Sequence, residues 1–275
     1  MKSLNITFPA SFLLLAFNLS LNTQAAEVNF NQVPVNKWSI EWGWNNETYG
    51  KSDIHFKGVD HQFSLYSVRA TDTQKTLTTQ SLFNTYLNPA RITIPQTNAR
   101  VAYQLDGNTA VAFNLDHMKY VVSDGQSVAI EGQIKQMSYA PGTQQYLSPV
   151  FMHYEHTDGL NVVSLEYEKK FPLQAQIGNV KTRAFALVGA GIVIPKSNIT
   201  MTMLGQSRND KFHLAGTNID VAGGFEIDYS KDYFSRLTFK VGHIHLTDVI
   251  TSARQDKASQ HINYQEASLT VGVRF

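Results

Sequence analysis

The last thirteen residues, NYQEASLTVGVRF, alternate strictly between two kinds of side chain. Counted back from the end, every second residue is apolar: Phe275, Val273, Val271, Leu269 and Ala267. A period of two is typical of a β-strand with one apolar and one polar face. In a soluble sandwich the apolar face would point inward, whereas in a membrane barrel it would point outward to lipid. The pattern predicts the strand and leaves that choice open.

The same alternation recurs in at least four other segments, which are KWSIEWGWN, NVVSLEYEK, NIDVAGGFEIDY and YFSRLTFKV. Their polar faces carry Glu41, Glu166, Glu168, Asp220, Glu226, Asp228, Arg236 and Lys240. A strand that faces water tolerates charge at any position, so near-complete segregation over this many strands indicates that neither face can be exchanged. That constraint favours a barrel with a polar lumen.

The N-terminus has the three parts of a secretory signal peptide. Lys2 precedes an apolar run from Ile6 to Phe17, and a polar stretch then ends in small residues. We therefore expect residues 1–25 to be a cleaved signal peptide, with cleavage after Ala25 or Ala26, and residues 26–275 to form a single domain. An uncleaved membrane anchor is less favoured, because the apolar run is shorter than the roughly 20 residues needed to span.

Composition narrows the functional classes. The chain has no cysteine and a formal net charge of +1, so neither disulfide chemistry nor a nucleic-acid partner is expected. Sixteen phenylalanines and twelve tyrosines indicate a chain rich in strands. No nucleotide, haem or flavin motif is present in the sequence, and we expect no cofactor.

The connections between strands fall into two length classes. Tight turns are predicted at LDGNTA and DYSKDY, whereas residues 50–96, 123–149, 195–210 and 248–261 form long polar connections. Outer-membrane barrels have short periplasmic turns and long extracellular loops, so this pattern again favours a barrel with both termini on the periplasmic side.

The count of strands is eight. They are expected near residues 36–49, 97–106, 109–122, 158–170, 176–194, 211–229, 232–247 and 262–275. Residues 52–72 read as a further hairpin, which either projects from the first long loop, about residues 50–96, or adds two strands. Ten strands are therefore the alternative.

Together these features resemble the small bacterial outer-membrane β-barrels. The resemblance implies an all-β fold, a closed antiparallel up-and-down transmembrane β-barrel, located in the bacterial outer membrane with membrane lipid as a partner. In that family the last strand is read by the barrel-assembly machinery. This implies an assembly signal at Leu269, Val271, Val273 and Phe275.

An eight-stranded barrel has an interior that side chains can fill. Projecting the polar faces inward adds further residues to the charged set named above, namely Arg100, Gln104, Asn114, Asp116, Glu266 and Arg274. We predict an internal salt-bridge network and a plugged or very narrow lumen. Clustered carboxylates also suit acid–base catalysis, but buried charges need partners whether or not chemistry occurs.

Two sets of residues raise the question of a chemical site. His243 and His245 share one strand face, which suits metal binding, but the sequence shows no third ligand and we predict no metal site. A lipid-modifying enzyme would need a serine beside a histidine. The candidates are Asp116 with His117, Asp53 with His55, and Ser164. None lies in a diagnostic motif such as G-x-S-x-G, and we name no catalytic residues.

The long loops point to interaction, because loops on a rigid scaffold commonly carry binding. The segment from Leu82 to Arg100 is unusually apolar and is expected to pack over the barrel mouth or against a partner. The sequence thus favours a structural or surface-interaction protein with an unknown extracellular ligand. A narrow solute channel is the second hypothesis and a lipid-modifying enzyme the third.

Overall fold

The structure, a computed structural model, describes residues 36–72, 78–81, 83–84, 96–173 and 180–275. Fifteen β-strands dominate these ranges, with short helical turns at Thr79–Ser81 and Thr202–Leu204. The strands are β1 (Trp38–Tyr49), β2 (Ser52–Lys57), β3 (His61–Val68), β4 (Ala70–Thr71), β5 (Thr97–Gln104), β6 (Thr109–Val122), β7 (Gln126–Ile134), β8 (Met137–Leu147), β9 (His153–Pro172), β10 (Lys181–Pro195), β11 (Asn198–Met201), β12 (Gln206–Asn209), β13 (Gly216–Asp228), β14 (Tyr233–Ile250) and β15 (Lys257–Arg274). None of the described helices is long and apolar enough to cross a membrane. The predicted signal peptide lies outside the described residues.

Eight antiparallel strands pair in the order β1-β5-β6-β9-β10-β13-β14-β15, and β1 also pairs with β15. We call these eight strands the ring. In its register Trp42 of β1 lies between Ala99 of β5 and Val271 of β15. The antiparallel all-β prediction is confirmed. The ring contains one strand for each of the eight that the sequence predicts, although β9 and β15 each start five residues earlier than expected, at His153 and Lys257.

The long connections are more ordered than the sequence suggests. Strand β2 pairs with the start of β15, and β3, β7 and β8 follow in order, so that these four strands form what we call the outer sheet. The hairpin expected at residues 52–72 therefore joins the outer sheet and adds no strand to the ring. The polar connection expected at residues 123–149 is instead the hairpin β7–β8, because Val128, Ile130 and Ile134 are apolar at a spacing of two and are buried. Most of the apolar segment Leu82–Arg100 lies outside the described residues.

Tight turns and chain ends meet at one end of the ring, which we call the turn end. Between β5 and β6 the amide of Leu105 donates to the carbonyl of Thr109 at 2.8 Å, and between β13 and β14 the amide of Tyr229 donates to that of Tyr233 at 3.0 Å. Trp38 and Phe275 exchange backbone hydrogen bonds of 3.1 and 2.9 Å at this end. The outer sheet lies at the opposite end, which we call the outer end.

The apolar side chains change from one face of the ring to the other along its length. On β6, inward-facing Asn114 and Asp116 near the turn end are followed by inward-facing Met118 and Tyr120, with no change of strand parity. Outward-facing Phe113 is 67% exposed. The sequence predicted one polarity throughout. That prediction holds for the half of the ring near the turn end, whereas the outer half encloses an apolar core.

The exposed apolar residues of the turn-end half form a band that we call the belt. It consists of Trp38, Ile40, Val101, Phe113, Leu115, Leu165, Tyr167, Phe171, Val188, Ile192, Ile219, Val221, Phe225, Leu237, Phe239, Leu269, Val271, Val273 and Phe275. On β15 its alternate positions run from Ala267 to Phe275. At about 3.4 Å per residue and a tilt of about 40°, this length gives a height of about 21 Å, close to the roughly 25 Å band of outer-membrane barrels.

Candidate functional site: the charged interior and the outer end

Arg100 lies at the centre of the charged interior. From β5 its guanidinium reaches carboxylates on two other strands, donating from Nη1 to Glu41 at 2.8 Å, from Nε to Glu166 at 2.7 Å and from Nη2 to Glu168 at 2.9 Å. All four side chains are almost completely buried. Hydrogen bonds between charged groups are stronger than neutral ones, and the planar guanidinium suits several carboxylates at once. Arg100 therefore connects β1, β5 and β9 across the lumen.

Arg236 makes a second centre from the opposite side of the ring. It binds Glu168 at 2.6 Å, Glu41 at 3.3 Å and Glu226 at 3.4 Å. Its guanidinium also lies over the ring of Phe185, 3.8 Å from the centroid, which adds a cation–π contact. The two arginines share Glu41 and Glu168, so the network is continuous across the interior.

Lysines and two further arginines extend this network in both directions. Towards the outer end Lys240 binds Asp116 at 2.7 Å and Glu166 at 3.4 Å. Towards the turn end the contacts converge on Glu226 and Asp228. Those contacts are Lys170 to Glu226 at 3.0 Å, Arg183 to Glu226 and Asp228 at 2.7 and 2.8 Å, and Arg274 to the same two carboxylates at 2.6 and 2.7 Å.

All eight charged residues predicted to line the lumen lie inside the ring, and seven of them make the ion pairs above. Asp220 differs, because its partner is the side-chain amide of Asn218, which donates at 2.7 Å. The facing position is Gly189, where an added Cβ would lie 2.5 Å from Oδ1 of Asp220. Glycine is thus required there to leave room for the carboxylate.

Sequence reasoning missed several members of the network. Lys170 lies on the same face as Glu166 and Glu168, so strand parity alone would have found it. Arg183 carries no such signal, because the next inward positions on β10 are Phe185 and Leu187, which are apolar.

Among the described residues, the interior of the ring contains two successive layers of packed side chains. A cavity within the network, lined by Asn98, Asn114 and Ser268 among others, has a volume of about 10 Å³, which corresponds to about one water molecule. Beyond it towards the outer end lies the apolar core, which includes Met118, Leu160, Val162, Ile244 and Ile262. A charged layer and an apolar layer therefore follow one another inside the ring.

The candidate catalytic pairs are not assembled as pairs. Asp116 points inward to Lys240, whereas His117 points outward and bonds Asn161 at 2.7 Å. The carboxylate of Asp53 accepts the backbone amide of Ser67, and the ring of His55 bonds the hydroxyl of Ser64. Ser164 is buried in the lumen, and its hydroxyl makes no hydrogen bond to the described residues.

A small neutral polar cluster lies within the apolar core of the outer half. The hydroxyl of Tyr120 contacts the hydroxyl of Ser52 at 3.1 Å and accepts a hydrogen bond from the side-chain amide of Gln260 at 2.5 Å. Burial raises the pKa of Tyr120 to about 12. Burial also lowers the pKa of His156 to about 3, while its Nδ1 contacts the hydroxyl of Ser197 at 2.8 Å. Both groups are therefore neutral at physiological pH, which suits a structural role.

Histidines gather on the outward face just past the belt. To His243 and His245 of β14 the structure adds His261 of β15 and His55 of β2; we call these four residues the histidine cluster. Nε2 of His243 is 3.1 Å from Nδ1 of His261, and the rings of His245 and His261 stack with centroids 4.0 Å apart. Partial burial and the neighbouring histidines lower the pKa of His261.

The sequence could not place His261 and His55 in the histidine cluster, because only the pairing of β14, β15 and β2 brings them next to His243 and His245. Within the described ranges, no three metal-ligating side chains are arranged to hold a metal ion.

The last strand presents its apolar residues outward. Leu269, Val271, Val273 and Phe275 all belong to the belt, and Phe275 is 58% exposed. The same strand pairs with β1 on one side and β14 on the other.

No family model matches this chain, and no curated protein matches it. Solved structures do. Outer membrane protein AlkL is 13% identical with a TM-score of 0.40, covering 92% of this chain and 95% of AlkL. OprG from Pseudomonas aeruginosa, also an outer membrane protein, is 6% identical with a TM-score of 0.39, covering 90% of this chain and 99% of OprG. Ail, the attachment invasion locus protein of Yersinia pestis, is 11% identical with a TM-score of 0.32, covering 87% and 99%.

These three solved structures are of bacterial outer-membrane proteins. TM-scores below 0.5 do not identify a function, so the inferences below rest on the geometry of this chain.

Proposed function

We propose that this chain is a closed, eight-stranded transmembrane β-barrel of the bacterial outer membrane that acts at the cell surface through its outer end. The observation that carries the proposal is the change of apolar face along the ring. Near the turn end the apolar side chains face outward, as lipid requires, and near the outer end they face inward, as water requires. In a wholly soluble barrel, the outward apolar side chains of the turn-end half would be exposed to water. In a barrel immersed in lipid along its whole length, the outer half would have no reason to bury its apolar side chains inside.

The turn end is then periplasmic and the outer sheet extracellular. Trp38, Tyr229 and Tyr233 are exposed at the turn end, where aromatic side chains suit the boundary between lipid and water. The outward apolar face of the last strand, which ends at Phe275, is proposed as the signal that the barrel-assembly machinery recognises.

A surface role is favoured over transport because two successive layers of side chains, one charged and one apolar, occupy the interior. The network around Arg100 and Arg236 occupies the membrane-spanning half, and the apolar core occupies the half above it. A solute would have to displace buried, paired charges and then packed apolar side chains, both of which are costly.

The outer sheet supplies a surface for interaction. Its strand β8 is the last in the strand order and is exposed along most of its length, with Met137 and Tyr146 among its exposed apolar residues. Pro141 lacks an amide hydrogen and Gly142 has a φ of +85°, so the middle of this edge is unsuited to continuous strand addition. We therefore infer binding through side chains at this surface.

Three measurements test the proposal. First, outer-membrane fractions run boiled and unboiled should show a mobility shift, whereas a soluble periplasmic protein without a shift would refute it. Second, the purified protein should be silent in planar bilayers, and regular single-channel steps would favour a solute channel.

The third measurement tests the surface role. Cells whose protein has β7–β8, residues 126–147, replaced by a two-residue turn should keep the mobility shift but lose retention on immobilised extracellular-matrix protein. Equal retention of parent and replaced cells would count against binding through this hairpin. A variant with Lys196→Met, which changes an exposed ion pair on the other side of the outer end, serves as the control.

A further inference from the structure

The histidine cluster lies at the outer edge of the lipid-facing belt, where Ile219 of the belt pairs in register with His243. On β14 the outward residues run Leu237, Phe239 and Val241, and the next two are His243 and His245. On β15 the belt ends at Ala267, and three outward positions further on is His261. The cluster is therefore continuous with the lipid-facing surface and belongs to the outside wall of the barrel, separate from the sealed interior.

The cluster begins within the headgroup layer, at His243, and extends to its outer edge, at His245 and its register partner His261. Two residues along a strand span about 6.8 Å, which at a tilt of about 40° is a rise of about 5 Å. His243 and His245 thus lie about 5 and 10 Å above Val241. The polar layer on each side of the hydrocarbon core is about 5–8 Å thick, since the bilayer measures about 30 Å without headgroups and 40–45 Å with them.

The surroundings of the cluster favour an anion once the imidazoles are charged. From β2, Lys57 lies opposite Lys257 of β15 in register. Lys257 is paired with Asp248 of β14 at 2.7 Å, and the carboxylate of Asp53 on β2 is engaged by the amide of Ser67. The positions on β13 and β3 beside the cluster are uncharged: Thr217 and Ile219 pair with His245 and His243, Ser64 pairs with His55, and the ring of Tyr66 lies 6.4 Å from that of His55.

Proton uptake changes what the cluster can bind. In the neutral state the 3.1 Å contact between His243 and His261 requires one nitrogen to donate and the other to accept. When both rings are protonated neither nitrogen accepts, and the two cations repel. A phosphate ester between them would accept from both rings and neutralise that repulsion.

We propose that the histidine cluster is a proton-dependent site for the phosphate headgroups of membrane lipids, which engages as the pH falls below neutrality. The site rests on the proposed function, because only a membrane-inserted barrel presents the cluster to lipid headgroups.

The test uses the full chain folded in a non-ionic detergent, with fluorescent phosphatidylglycerol as the probe. This lipid keeps one negative charge between pH 7.5 and 5.5, so a change in affinity with pH reports on the protein. We expect binding about five- to tenfold tighter at pH 5.5 than at pH 7.5, because protonated imidazoles donate to the phosphate from both ring nitrogens and neutral ones do not.

The double variant His245→Asn with His261→Asn should change less than twofold over the same pH range. His153→Asn, which alters a partly exposed histidine on β9 outside the cluster, should behave as the parent.

The remaining outcomes distinguish two failures. If the folded, heat-modifiable parent shows no pH dependence, or if the double variant keeps it, the lipid site is wrong and the barrel proposal stands. If inorganic phosphate alone displaces the probe at equal concentration, the site recognises free phosphate and the lipid assignment is overturned. If the parent shows no heat shift and does not enter vesicles, the proposed function fails, and the lipid site fails with it.

Discussion

Replacing Arg100 by methionine tests whether the charged interior stabilises the ring. The substitution keeps an unbranched apolar stem and removes the guanidinium with its three charged hydrogen bonds, to Glu41, Glu166 and Glu168, all between 2.7 and 2.9 Å. At about 1.5–3 kcal/mol each, their gross loss is about 5–9 kcal/mol. Burial of the methionine and the contacts that Arg236 and Lys240 retain offset part of this. We expect a net loss of about 3–5 kcal/mol in the free energy of unfolding, the range for breaking a buried ion pair.

The assay is urea unfolding of the protein in lipid vesicles, followed by tryptophan fluorescence. Lys181→Met is the matched control, since Lys181 is exposed at the start of β10 and its replacement should cost less than about 0.5 kcal/mol. Adding Glu166→Gln to the Arg100 variant should recover about 1 kcal/mol, because Glu166 has then lost its closer cation and keeps only Lys240 at 3.4 Å.

A loss below about 1 kcal/mol, or a double variant less stable than the single one, would refute the reasoning. Either result would mean that water reaches these carboxylates and that the lumen is open.

Three further changes probe the outer half. Arg254, with a smaller contribution from His61, holds the pKa of Asp60 at about 2, so these contacts contribute stability above about pH 4 that is lost as the pH falls towards 2. In Arg254→Met the carboxyl carbon resonance should titrate above 2 and below the ordinary value of about 3.9, because His61 remains, and an unchanged midpoint would contradict the pairing. Phe56→Ala removes a ring stacked on Phe63 at 4.7 Å and should cost about 3–5 kcal/mol locally, seen as protease cleavage of the outer sheet while the heat shift persists; cleavage equal to that of the parent would show that the sheet does not depend on this core. Gly132→Ala places a Cβ 2.3 Å from the carbonyl oxygen of Gln62 at a φ of +118°, which should loosen the pairing of β3 with β7 and raise protease cleavage within these two strands. Protection equal to that of the parent would show that β7 adjusts without cost.

Much of the fold is readable from the sequence because side-chain direction along a strand is a local property. The alternation in the last strand predicts which side chains of β15 share a face, and the same reasoning places Glu166 and Glu168 together on β9. The same rule places Lys170 on this face of β9, although Lys170 is not among the lumen residues predicted from the sequence.

The histidines show where local reasoning ends. A spacing of two puts His243 and His245 on one face, but their neighbours His261 and His55 are brought in by the pairing of β14, β15 and β2. No period in the sequence reports which strands are adjacent.

The sequence by itself predicted the eight segments that form the ring and the division of each strand into two faces, because these depend on a period of two within each segment; it left open whether residues 52–72 add two strands, and it did not predict β7 and β8. Only the tertiary structure decided which charges meet across the lumen, as Arg100 does with Glu41 and Glu168. It also decided that the apolar face turns from outside to inside along β6. Both depend on strand register and on the environment at each height of the ring, and neither is a property of a single strand.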